Sequence, residues 1–120
     1  MENEFVPYGI ALQMKELGYN ERNIYHYANG VLQEGITYNS DHRDYESISA
    51  PLYQQAFRFF REEYELFVDW NHGQHDNFGS YFGFCIENIH LEGTIVGVYK
   101  TYEEAELECL KKLIELCKKH

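Results

Sequence analysis

The sequence predicts an α+β fold in which helices pack on one face of an antiparallel sheet. Three observations carry that expectation: an aromatic-faced helical pattern over residues 52–64, three strand patterns separated by glycine-bearing loops over 66–100, and a capped amphipathic pattern from Thr101 onward. With 120 residues the chain suits a single domain, 1–120. Within it, 1–50 supplies a helix, a β-hairpin and a loop, and 51–120 an α-β-β-β-α core.

The elements follow in order. Residues 8–17 read as a short helix: Ile10, Met14 and Leu17 recur at i, i+4 and i+7, Pro7 suits its start, and Gly18 suits its stop. Asn23-Ile-Tyr-His-Tyr-Ala and Val31-Leu-Gln-Glu flank Asn29-Gly30, a strong two-residue hairpin signal, and Gly35 and Ile36 continue or bulge the second strand. Residues 39–50 are polar and unpatterned and read as a loop. In 52–64, Tyr53, Phe57, Phe60 and Tyr64 align on one face, opposite Gln54, Gln55, Arg58, Arg61 and Glu62. Strands are expected over 66–71, 80–87 and 94–100. The middle one alternates Tyr81, Gly83 and Cys85 with Phe82, Phe84 and Ile86, so neither face is polar and both are expected to be covered. Thr101-Tyr-Glu-Glu is a capping box, and Leu107, Leu110, Leu113, Ile114 and Cys117 form an apolar stripe behind it.

Charge narrows the partners. The net charge is −10, and both parts of the chain share it: residues 1–50 hold 3 Lys/Arg against 8 Asp/Glu, and 51–120 hold 7 against 12. Such a surface repels phosphate backbones, so no nucleic-acid partner is expected. No apolar run approaches the roughly 18 residues of a membrane span, and the acidic N-terminus does not read as a secretory signal. Cys85, Cys109 and Cys117 form no CxxC pair and read as free thiols of a reducing cytoplasm.

From residue 52 the order of elements is that of the double-stranded RNA-binding domain. That module needs basic residues at the start of its last helix, where this chain has Tyr102-Glu-Glu-Ala-Glu. The topology is therefore expected without the basic surface and without the activity. A second resemblance lies in Ala50-Pro-Leu-Tyr-Gln-Gln-Ala-Phe-Arg-Phe-Phe-Arg-Glu, in Thr101-Tyr-Glu-Glu-Ala-Glu-Leu-Glu-Cys-Leu-Lys-Lys-Leu-Ile-Glu, and in the helix following Phe5. These stretches resemble small uncharacterised proteins of phages and prophages of Bacteroides-type bacteria. The resemblance implies a mobile-element setting, in the cytoplasm of a bacterial host. It brings no catalytic residues.

Five groups of side chains are candidates for chemistry or binding. His72, His75 and Asp76 form a His-Gly-Gln-His-Asp stretch that offers donors for a transition ion, with His90 as a remote fourth. A closed site needs a second pair at a recognised spacing, so a polar turn is the plainer reading. The three thiols suit core positions better than catalysis, since no histidine or helix start stands beside them in sequence. Glu103, Glu104, Glu106 and Glu108 are explained by the cap and the helix dipole. No GxGxxG, Walker, HExxH or GxSxG motif occurs, and neither enzyme activity nor a cofactor is expected.

Tyr25, Tyr27 and Tyr38, with Tyr45 behind them, put many rings into a hairpin with few aliphatics. Tyrosine is enriched where proteins dock, which makes these the interface candidates, for a protein partner or for self-association. Arg58 and Arg61, with Arg43, are the candidates for an anionic small molecule or nucleotide. The leading expectation is thus a phage- or prophage-derived protein that binds another protein. The alternative is a small-molecule or nucleotide binder that interferes with host signalling.

Overall fold

A computed structural model describes residues 4–20, 23–37, 40–41, 46–77, 79–88 and 94–118. The fold is α+β, with three helices and two antiparallel sheets among the described residues. The chain divides into two compact units, Met1–Ala56 and Phe57–His120.

The first unit opens with helix α1 (Tyr8–Glu16), which buries Ile10, Ala11 and Met14. Its end is a Schellman motif: the Gly18 amide donates to the Lys15 carbonyl and the Tyr19 amide to the Met14 carbonyl. The hydrophobic pair that accompanies this motif is Met14 with Tyr19, both buried. Strands β1 (Asn23–Ala28) and β2 (Val31–Thr37) pair through the expected Asn29-Gly30 turn. Both turn residues have positive φ, +51° and +87°, as a type I′ turn requires. Tyr25 pairs with Glu34 but Asn23 with Thr37, so β2 carries one extra residue at its Gly35-Ile36 bulge.

Within 39–50, where composition suggests a loop, the described residues include strands. These are β3 (Ser40–Asp41) and β4 (Glu46–Ser49), and β4 pairs with β1 to give the sheet order β2-β1-β4-β3. The cause is tertiary: Ile48 is fully buried opposite Tyr27, and the Ala50 amide donates to the Tyr25 carbonyl just beyond the strand. Phe5 and Leu52 form an isolated bridge, and the Val6 amide donates to the Pro51 carbonyl.

Helix α2 (Tyr53–Tyr64) starts with its Gln55 side chain accepting the Leu52 amide at 2.8 Å, one half of a capping box. Its buried face is centred on Ala56, Phe59 and Phe60; Tyr53, Phe57 and Tyr64 are only half-buried. The expected stripe is thus rotated by about one position, and it gains Phe59. The helix stops at Glu65, whose φ of +55° is left-handed, and the Leu66 amide donates to the Phe60 carbonyl.

The second unit continues with strands β5 (Phe67–His75), β6 (Gly79–Glu87) and β7 (Ile95–Tyr99), a meander in that spatial order. Helix α3 (Tyr102–Lys118) follows, and the Glu104 amide donates to the Thr101 hydroxyl oxygen at 3.1 Å as the capping pattern predicts. The helix buries Ala105, Cys109, Leu110, Leu113, Ile114 and Cys117 and packs along β6 and β7. Phe84 and Ile86 are buried on the face it covers, and Trp70 contacts Phe57 (5.2 Å between ring centroids), Phe84 (6.2 Å) and Tyr102 (5.4 Å).

Candidate functional site

The register of β5, β6 and β7 sorts their residues onto two faces, because side chains alternate along each strand. One face carries Val68, Trp70, Phe82, Phe84, Ile86, Ile95 and Tyr99 and meets α3, and His72, exposed, shares it in the row of Phe82 and Tyr99. The opposite face is laid out in cross-strand rows. Asp69, Cys85 and Val96 form one, Asn71, Gly83 and Val98 the next, and Phe67 stands opposite Glu87 beyond them. Phe67 is 51% exposed, Val96 61% and Val98 52%. The sheet therefore has one closed apolar face and one open mixed face, and the expectation that β6 is covered on both sides is corrected.

Two glycines shape this sheet through contacts rather than turns. A Cβ on Gly83 would lie 2.7 Å from the Asn71 side-chain oxygen, so the Asn71 amide fills the space above it. On the closed face the Phe84 ring occupies the corresponding space over Gly97, its cross-strand partner. The open face is polar along β5 (Asp69, Asn71) and apolar along β7 (Val96, Val98).

One end of the open face is hollow. Glu65, Phe67, Glu87 and Asn88 line a cleft of about 300 Å³. The Asn88 side-chain amide anchors this corner, donating to the Glu65 carbonyl at 2.6 Å and the Tyr64 carbonyl at 3.3 Å. These are carbonyls that α2 cannot satisfy internally, so Asn88 caps the helix from across the unit.

The residues singled out in the sequence are placed differently from what their types suggest. Tyr27, an interface candidate by composition, is buried; its hydroxyl donates to the Val6 carbonyl at 2.6 Å, and its ring meets Tyr8 edge-on. Tyr25 is half-buried with its ring 4.8 Å from Phe5. Tyr38, Tyr45, Arg43 and His90 lie outside the described residues. Arg58 and Arg61 are exposed on α2, and neither lines the cleft of Glu65, Phe67, Glu87 and Asn88.

His72 and His75 are not in a loop either. Both belong to β5, paired with Phe82 and Gly79, and only Asp76 lies in the turn. Their odd spacing assigns the two positions to opposite faces of a regular strand. Among the described residues no group of three or more His, Cys, Asp or Glu stands together as a metal site.

Cys109 and Cys117 are buried in α3, whereas Cys85 is half-exposed on the open face. Burial, reinforced at Cys109 by Glu106, pushes both helix thiols up, Cys117 to about 11, which makes them poor nucleophiles. Burial, and then Glu103, also pushes the Glu106 carboxyl up. Glu103 and Glu104 are exposed at the capped helix start.

Sequence reasoning missed Phe67, Val96 and Val98 as surface residues. The signal was present in Ile95-Val-Gly-Val-Tyr, which lacks a polar residue at either parity although the strand lies at the edge of the sheet. Compared with protein-family models, curated proteins and solved structures, the chain matches none.

Proposed function

We propose that this chain is a non-catalytic protein-binding domain that docks its partner on the open face of the β5-β6-β7 sheet. The observation that carries the reading is the exposure of Phe67, Val96 and Val98 on one face of a sheet whose other face is closed by α3. Finishing the burial of each side chain is worth on the order of 1 kcal/mol, enough for three of them to anchor an interface. The site moves from the tyrosine hairpin favoured by composition to this sheet, because Tyr27 already serves the core of its own unit. The likeness to phage and prophage proteins supports a setting in the cytoplasm of a bacterial host, with a host or phage protein as partner.

The test uses the full chain as bait in bacterial extract, beside a Phe67→Ser, Val96→Thr, Val98→Thr variant. These changes keep β-branching at both valine positions and remove apolar surface. A partner retained by the parent and lost by the variant, with matching far-UV circular dichroism and melting, supports the reading. Equal retention by both chains overturns it.

A further inference from the structure

The open face is acidic on one side. Glu87 lies directly across from Phe67, Asp69 is two residues along β5 on the same face, and Glu65 joins Phe67 and Glu87 around the cleft. The Val96 and Val98 side is apolar. A phenyl ring flanked by carboxyl groups suits a guanidinium or ammonium, which the ring attracts through its negative π-face and the acids through charge. The alkyl stem of an Arg or Lys then lies on the ring rather than in water. A second copy of this chain fits poorly, because its own net charge of −10 meets the same sign.

From this charge complementarity we propose that the occupant of the open face is a basic segment of the partner protein. An Arg or Lys side chain sits over Phe67 between Glu65 and Glu87, and neighbouring apolar side chains rest on Val96 and Val98. The inference rests on the docking reading above and adds the chemistry of the partner. The Asn88 bonds fix the Glu65 backbone before binding, so that part of the cleft needs no ordering when the cation arrives.

The test is an amide NMR titration of the full chain with a blocked pentapeptide alternating valine and arginine, beside versions with glutamate or glutamine in place of arginine. The arginine peptide should give saturable shifts at Glu65, Phe67, Asp69 and Glu87, and the glutamate peptide none. In Glu65→Gln, Glu87→Gln its affinity should fall about five- to tenfold, the range expected for losing two exposed charge contacts while the Phe67 ring is kept. In Glu62→Gln, Glu115→Gln, which removes the same charge elsewhere, affinity should change less than about twofold.

Absence of saturable shifts, equal binding of the acidic and basic peptides, or equal losses in the two double variants overturns the proposal. So does self-association on sedimentation that Phe67→Ser abolishes. If Glu65→Gln, Glu87→Gln keeps the cellular partner while the Phe67, Val96 and Val98 variant loses it, the charge inference falls and the docking surface stands. If neither loses it, both fall.

Discussion

The Asn88 side-chain amide donates a 2.6 Å hydrogen bond to the Glu65 carbonyl, which ties the residue after β6 to the residue after α2. This bond holds Glu65 in a left-handed conformation that a side chain with a Cβ adopts only at a cost of about 1–2 kcal/mol. Asn88→Ala should lower stability by about 1–2 kcal/mol in urea unfolding, since it strips a partner from helix-end carbonyls. Glu65→Gly should do the reverse, raising stability by about 0.5–1 kcal/mol through relief of the strained φ. The same change should weaken capture of the basic peptide. A glycine variant that is both less stable and equally competent would show that Glu65 is neither strained nor part of the cleft.

What was legible in the sequence was what local chemistry dictates. Asn29-Gly30 specified its turn and Thr101 its cap, and both need only a few neighbouring residues to act. Strand β4 was illegible because Glu46-Ser-Ile-Ser has a single aliphatic to bury, and its pairing comes from β1, some twenty residues earlier. The His72–His75 stretch reads as a turn because of Gly73 and its polar neighbours. Its cross-strand partner Tyr81 supplies what the glycine lacks, lying within 2.7 Å of where a Cβ would stand. The open face was half legible: alternation revealed that β6 had no polar side, but not which layer was missing.

Gly97 should tolerate no side chain. An added Cβ would stand 2.5 Å from the Phe84 ring and 2.8 Å from the Tyr99 ring, and the fully buried Phe84 has little room to swing away. Gly97→Ala is expected to cost about 1–3 kcal/mol by overpacking, despite alanine's lower backbone entropy. Thermal melting of the variant checks it, and an unchanged melting temperature would show that the two rings yield.

Tyr27→Phe should separate structure from binding. The change removes a 2.6 Å hydrogen bond and leaves the buried Val6 carbonyl without this donor, while the ring and its contact with Tyr8 are kept. The expected loss is about 1–2 kcal/mol of stability in urea unfolding. Partner capture by the folded variant should match the parent. A variant that keeps full stability but loses the partner would return the hairpin to candidacy as the interface.

The thiols give the protein an alkaline weakness. Burial pushes Cys117 up to about 11, and burial followed by Glu106 raises Cys109 as well. In the unfolded chain both titrate near 8.5. Between that value and the folded one, the native state holds protons that the unfolded state has released, so stability falls as pH rises. Below about pH 8.5 both states are protonated and the contribution is fully present. Tyr64, Tyr99 and Tyr102, each raised chiefly by burial, act in the same direction at higher pH. The urea midpoint should therefore be nearly flat from pH 7 to about 8.5 and decline beyond it. Cys109→Ala, Cys117→Ala should start lower, through lost packing, yet decline less steeply. Ellman's reagent at pH 8 should label Cys85 in the folded protein and the two helix thiols only after urea is added, because access separates them as well as charge. A decline as steep in the alanine variant would assign the alkaline loss to the tyrosines and to repulsion within the acidic surface, leaving the helix thiols without part in it.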